Sequence, residues 1–343
     1  MIKKNKGIKS NHTDGKRKPY VRLLLMLSML VIGALSLAGC GKEASKGVEA
    51  AENKTDAIEK KRVIALSKSN AELWLLAGGE LIATSEDALV LEGLGENVES
   101  LGDMDHVSLE AVAALEPDYL ILFSTDPAQK ALGEAAQEIG IPVRFTNIDN
   151  FGDYEEVMRE FTGLTGREDL YQENVAKVKE RINGIKDKAA GEAEESEGRD
   201  REKTEENDPE KTPGNEKSIA GKTYLLLHVS ATKSKAEKND YFASEILNDL
   251  GLINIAADDS AFKELSMEAI LGADPDYIFV IPRGDEKKAL KSLEESFTGN
   301  PSWESLSAVK NGHFSILSKD LFGLKPNNRW DEAYEEAYRL LYQ

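Results

Sequence analysis

From residue 62 onward, apolar runs of about five residues alternate with longer stretches whose apolar positions recur every three or four residues. RVIAL (62–66), LIATS (81–85), YLILF (119–123) and PVRFT (142–146) read as strands. NAELWLLAGG (70–79), SLEAVAAL (108–115) and AQKALGEAAQEIG (128–140) fall between them as helices, the first and last stopped by glycine. The pattern returns after residue 220. TYLLLHV (223–229), YIFVI (277–281) and HFSIL (313–317) are strands, and residues 241–252, 266–273, 286–297 and 329–342 are helices. Short apolar runs separated by helices predict parallel sheets covered on both faces, so the chain is α/β.

One element occurs twice. SLEAVAALEPDYLILF begins at Ser108 and SMEAILGADPDYIFVI at Ser266, with six of sixteen positions identical, Glu110 and Glu268 among them. A helix, a Pro-Asp turn and a core strand thus recur in two similar lobes, residues 61–168 and 221–343. Between them, Leu170, Tyr171, Val175, Val178, Ile182 and Ile185 keep helical spacing, predicting one bridging helix over 169–190, roughly 30 Å long at 1.5 Å per residue. Residues 194–217 hold no aliphatic or aromatic side chain beyond their acidic and polar run. The 191–220 segment is therefore expected to be a solvated, disordered insertion.

The start of the chain changes the picture of charge and place. Eight basic residues precede an apolar run that ends in LSLAGC, so residues 1–39 read as a signal peptide and 40–60 as a flexible tether. Cys40 is the only cysteine, which excludes disulfides and thiolate chemistry from the remainder. Losing a leader of net +7 takes the formal charge from −19 to about −26, which argues against nucleic acid and against anionic lipid as partners of the folded part.

LSLAGC resembles the bacterial lipobox, where cleavage leaves Cys40 as the lipid-modified terminus. With the two lobes, the bridging helix and the duplicated S-x-E-A…P-D-Y element, the chain resembles the solute-binding lipoproteins of ABC importers, in the class for iron siderophores, haem and cobalamin. SxxNAELWLLAGG, LGDMDHVSLEAVAALEPDYLILF, ILNDLGLINIA and NPSWESLSAVKNGHFSIL carry that resemblance in order. It implies two Rossmann-like lobes with central, mostly parallel sheets joined by a single long α-helix. It also implies a monomer anchored to the outer face of the bacterial cytoplasmic membrane, docking through Glu110 and Glu268 onto a permease dimer with its ATPase.

Ligands of open α/β sheets sit beyond the carboxyl ends of the strands, which selects the loops 67–70, 102–106, 124–126, 147–151, 228–232, 283–285 and 321–329. Within them, Met104, His106 and Ser124 of the first lobe and Tyr241, Arg283, Phe322, Lys325 and Arg329 around the second are the candidate ligand contacts. By resemblance the second lobe is nearest the haem-binding members, through VIPRGDEKK and LFGLKPNNRW. Arg283 stands where that subgroup can carry an axial histidine, and its guanidinium suits a carboxylate instead. His228, at a strand end, and His313, in a turn, read as structural, and Trp330, Tyr334, Tyr338 and Leu341 as core.

No G-x-S-x-G, H-E-x-x-H or G-x-x-x-x-G-K-[ST] motif is present, so no catalytic residue, bound metal or cofactor is expected. The expected cargo is an iron complex, haem or a cobalamin-like ligand. The alternatives are a zinc or manganese receptor of the same architecture, which three scattered histidines serve poorly, and a sensory surface lipoprotein.

Overall fold

The computed structural model describes residues 61–204, 219–257, 262 and 264–342. The signal segment 1–39, Cys40 with the tether 40–60, and residues 205–218 of the acidic stretch fall outside the described residues. In the first lobe, β1 (Val63–Ala65), β2 (Leu81–Thr84), β3 (Glu99–Ser100), β4 (Tyr119–Phe123) and β5 (Val143–Thr146) form a parallel sheet in the order β3-β2-β1-β4-β5. Four helices cover it: α1 (Lys68–Leu76), α2 (Leu109–Ala114), α3 (Pro127–Glu138) and α4 (Phe151–Thr165). The last was not among the expected elements, although Phe151, Tyr154, Val157, Met158 and Phe161 are spaced for it and all are buried.

The connection is longer and less regular than one helix over 169–190. α5 (Glu168–Tyr171) passes through a π-helical turn, Gln172–Ala176, into α6 (Lys177–Thr204). The helix therefore runs into the acidic stretch, because Glu, Ala, Lys and Arg are strong helix formers. At the π-turn the Asn174 carbonyl accepts from Tyr154 Oη at 3.0 Å, while Asn174 Nδ2 donates to the Leu76 carbonyl at 3.0 Å, so the irregular turn is tied to the first lobe.

In the second lobe, β6 (Thr223–Val229), β7 (Ser234–Ala236), β8 (Ile253–Asn254), β9 (Tyr277–Pro282) and β10 (Phe314–Ile316) form the sheet β10-β9-β6-β7, with β8 beside the start of β6. Of these pairings only β6 with β7 is antiparallel. α7 (Phe242–Asp249), α8 (Met267–Ala273), α9 (Glu286–Leu293), α10 (Ser307–Lys310), α11 (Lys319–Phe322) and α12 (Trp330–Tyr342) complete it.

Strict side-chain alternation sorts the core. Ile64 and Leu66 of the first segment face one cluster with Leu120 and Leu122, whereas Val63, Ala65 and Ile121 face the other way. On β6 and β9, Leu225, Leu227, Ile278 and Val280 turn outward, while Tyr224, Leu226, Tyr277, Phe279 and Ile281 turn toward the first lobe. The two inner faces, α4, α6, α7 and α12 share one buried cluster. At its centre Trp330 meets Phe151 of the first lobe and Phe242 of the second edge-on, each with ring centroids 5.7 Å apart. Trp330, Tyr334, Tyr338 and Leu341 are all buried, as expected.

The duplicated element folds twice in the same way. Ser108 Oγ accepts from Ala111 N at 3.2 Å and Ser266 Oγ from Ala269 N at 3.1 Å, capping α2 and α8. Asp118 Oδ2 accepts from Arg62 N at 2.7 Å and Asp276 Oδ2 from Thr223 N at 2.8 Å, so each Pro-Asp turn grips the start of its lobe's central strand. Glu116 and Asp274, at equivalent positions, both take positive φ, 43° and 39°. Glu116 is held through its carbonyl, which accepts from Arg62 Nε at 3.1 Å, whereas the Asp274 side chain itself accepts from Ser307 N at 2.8 Å and Ser307 Oγ at 2.7 Å. Relief of left-handed strain is worth about 1 kcal/mol, offset in part by the added freedom of glycine in the unfolded chain. Glu116→Gly is expected to be neutral or stabilising and Asp274→Gly destabilising, with a difference of about 1–2 kcal/mol between them in urea unfolding; equal effects would refute this account of the two turns.

Candidate functional site

The carboxyl ends of the first-lobe strands are locked by a buried polar network. Asn70, fully buried on α1, donates to the Leu66 carbonyl at 3.1 Å and accepts from Thr146 Oγ1 at 2.7 Å, joining β1 to β5. Ser67, with φ 85°, accepts from Asn70 N at 3.2 Å while its own N–H donates to Ser85 Oγ at 2.8 Å. These bonds fix the loops against one another.

Across from them, the loop after β10 reaches the first lobe. Asn327, fully buried and at φ 49°, donates through Nδ2 to Glu72 and to the Ser69 carbonyl. Lys325 Nζ lies 3.4 Å from Asp149 Oδ1 and 5.3 Å from the centre of the Phe242 ring. Burial pushes Lys325 below the usual lysine range, against the pull of Asp149. Lys68, Ser69 and Glu72 on one side and Asp320, Leu324, Lys325, Pro326 and Arg329 on the other line an interlobe cavity of about 270 Å³.

A second cavity, about 260 Å³, belongs to the second lobe alone. His228, Val229, Ser230, Lys233, Lys235 and Arg283 line it, at the carboxyl ends of β6 and β9 and on the β6–β7 hairpin. The hairpin register sets His228 opposite Lys235. His228 Nδ1 donates to Glu237 Oε1 at 2.6 Å, and Lys235 Nζ lies 3.0 Å from the same oxygen. Burial pushes the Glu237 carboxyl up, but the hydrogen bonds and charges of His228 and Lys235 outweigh it and hold the group below the usual carboxylate range.

The expected site residues divide accordingly. Arg283 is exposed at the second-lobe cavity, and Lys325 and Arg329 line the interlobe one, Arg329 paired with Glu332 at 2.8 Å. Tyr241 Oη donates to the Phe322 carbonyl at 2.7 Å, with its ring beside His228 and Phe242. Phe322 itself is fully buried and cannot be the aromatic wall expected of it, because α11 turns its ring into the shared core. Met104 packs against the first-lobe cluster, His106 lies 3.2 Å from Asp103 with its side chain mostly exposed, and Ser124 donates to the Thr146 carbonyl at 3.3 Å. None of these three lines either cavity. His313 stacks on Tyr277 with ring centres 4.2 Å apart, a structural place as expected. Lys233, Lys235, Glu237 and Asn327 were not foreseen; the short polar β7 carries no apolar run to mark it.

Glu110 and Glu268 occupy the second position of α2 and α8, and both are exposed. Among the described residues no three His, Cys, Asp or Glu side chains cluster to hold a free metal ion, and no helix is long and apolar enough to cross a membrane.

Two lobes on a shared core, with cavities at the strand ends, define a two-lobed binding protein. The chain belongs to the periplasmic binding protein family, whose model matches residues 63–197 and 222–321. It is 23% identical over 321 residues to the Fe(3+)-citrate-binding protein YfmC of Bacillus subtilis, covering 87% of this chain and 90% of that one. The ABC transporter substrate-binding lipoprotein YvrC of the same organism is 26% identical over 336 residues, 91% of this chain and 95% of the relative. Staphylococcus aureus IsdE, solved with haem, superposes with a TM-score of 0.64 at 17% identity, over 82% of this chain and 99% of that one.

One contact across the lobes makes stability depend on pH. Glu245 of α7 accepts from Phe151 N, the first residue of α4, at 3.0 Å. Burial raises it from 4.5 to about 7, Asp249 and Asp153 adding to the rise and the Phe151 N–H and Lys186 opposing it. A carboxyl raised in the folded state contributes stability in full below its unfolded value and loses it as pH climbs through about 7. The Tm of the wild type relative to Glu245→Gln should therefore fall between pH 5 and pH 8, and parallel profiles from differential scanning calorimetry would refute the assignment.

Proposed function

We propose that the chain is the extracytoplasmic substrate-binding protein of an ABC importer, lipid-anchored through Cys40, which captures an anionic metal chelate and delivers it to a permease dimer. Relatives named for ferric citrate, ferric hydroxamate and haem, and a solved neighbour named for vitamin B12, support an iron complex, haem or a cobalamin-like cargo. The observation that carries the reading is the pairing of Glu110 with Glu268. Two exposed carboxylates at matching helix positions, each fixed by the same serine cap and Pro-Asp clamp, offer equivalent contacts to two symmetric basic pockets. Local helix electrostatics alone would favour an acid there, but would not require both lobes to expose it at the same position. The second-lobe cavity supplies the opposite charge through Arg283, Lys233 and Lys235 in a strongly acidic chain, while in the interlobe one Glu72 and Asp320 offset part of the charge of Lys68, Lys325 and Arg329. Recognition and release need no catalytic group.

The test is quenching of tryptophan fluorescence by haemin, ferric citrate, a ferric hydroxamate and cobalamin; no saturable response to any of them refutes the cargo class. Separately, Glu110→Lys with Glu268→Lys should leave cargo affinity unchanged while abolishing uptake in cells that carry the permease. Lost affinity would place these residues in binding instead of docking.

A further inference from the structure

We propose that Asp149 is a built-in competitor of anionic cargo: its carboxylate holds Lys325 across the lobe boundary until a carboxylate of the chelate takes Lys325 in its place. This rests on the receptor reading above and adds to it a regulation of the interlobe cavity, for cargo that carries negative charge.

The two partners of this contact are held unequally. Lys325 is the fixed one. Its side chain is 21% exposed, and Pro326 and Asn327 beside it are buried. The loop that carries it is fastened to the first lobe by other bonds: Asn327 Nδ2 donates to Glu72 and, at 3.4 Å, to the Ser69 carbonyl, and Asn328 Nδ2 donates to Asn174 Oδ1 at 3.3 Å. Lys325 therefore keeps its place whether or not Asp149 holds it. Asp149 is the movable one, 41% exposed in the loop between β5 and α4. Its Oδ2 accepts from Asn147 Nδ2 in the same loop, and its own N–H donates to Asp153 Oδ2 at 2.9 Å. Turning the carboxyl toward water breaks one cross-lobe bond and leaves the backbone of the loop anchored.

The bond that would be given up is weak, and the cation is underused. At 3.4 Å the contact lies beyond the usual N–H···O range of about 2.7–3.2 Å. An ammonium has three donors, and among the described residues Asp149 is the single acceptor that Nζ meets, with the Phe242 ring centre 5.3 Å away. Burial pushes the group below the usual lysine range against the pull of Asp149, Asp153 and Glu237, so an anion brought close stabilises its charged form. Lys325 lines the interlobe cavity and Asp149 does not. The cation is thus shared between the cavity and a loop outside its lining. Two carboxylates at one ammonium repel each other, so Asp149 and an anionic cargo weaken each other's hold by the same factor. Glu72, an acid that does line the cavity, is already engaged by Asn327 in fastening the loop, which leaves Asp149 as the acid free to turn away. A lone small anion gains little by replacing Asp149, whereas a polycarboxylate that also reaches Lys68 or Arg329 gains more, so the internal partner favours multiply charged cargo. The exchange is non-covalent and the proton stays on Lys325.

The experiment is calorimetric titration of the purified full chain with ferric citrate and haemin, which carry carboxylates, and with cyanocobalamin and an uncharged ferric hydroxamate, which do not. Wild type, Asp149→Asn, Lys325→Met and the double variant are compared. Asp149→Asn keeps the size of the side chain and removes its charge. It should tighten binding of ferric citrate or haemin about 3–10-fold and leave the uncharged probes unaffected. In the Lys325→Met background the same substitution should change nothing. Unchanged or weakened binding of anionic cargo in Asp149→Asn overturns the proposal. A gain that persists beside Lys325→Met overturns it too, because it is then the general effect of removing one negative charge. If Asp149→Asn fails to fold, Asp149→Ser decides in the same way. Binding of the uncharged probes alone removes this inference and leaves the receptor reading, whereas binding of none of the four removes both.

Discussion

The structure depends on one continuous apolar core laid across two lobes. Each sheet turns one face outward to its own helices and the other inward, and the inner faces meet α6, α12 and the Phe151–Trp330–Phe242 contact in a single cluster. Burying apolar area is worth about 25 cal/mol per Å², and opening the lobes widely would expose rings that are now fully covered. α12 runs beside α6, held by Tyr342 Oη on the Ala189 and Leu250 carbonyls and by Arg181 with Asp331. The link is therefore a pair of helices with a tethered π-turn, stiffer than a lone rod. Capture on such a body has to come from side chains and loops at the cavity rims, because the lobes are not free to swing.

The same rigidity gives the duplicated element its meaning. A serine cap fixes where each helix begins, and an aspartate clamp fixes where the following strand lies against its neighbour. Between those two anchors the second helical residue has little freedom, and in both lobes it is an exposed glutamate. The spacing of the two carboxylates is then a property of the shared core instead of flexible chain, which is what recognition by a symmetric partner requires.

Much of this was legible in the sequence. The apolar runs, the Gly stops and the linking periodicity gave the strands β1, β2, β4, β5, β6, β9 and β10, and the repeat gave Glu110 and Glu268 their equivalence. What escaped has physical causes. β3, β7 and β8 are two or three residues long and owe their state to a neighbouring strand, with no pattern of their own. The extension of α6 to Thr204 follows from helix propensity in a stretch whose lack of apolar residues had argued for disorder. Phe322 was judged by its loop, yet one turn of α11 was enough to send its ring into the core. The His228–Glu237 pair was invisible because it depends on the register of a hairpin, which polar residues do not announce.

Topology also explains why cargo and docking groups lie where they do. α2 follows β3, whose two residues pair with the carboxyl end of β2, and α8 follows β8, which pairs with the start of β6. His228 and Arg283 sit at the carboxyl ends of β6 and β9. The exposed carboxylates Glu110 and Glu268 and the cations at the cavity rims are solvent-facing groups of opposite sign, and salt screens exposed charges more than about 10 Å apart from one another.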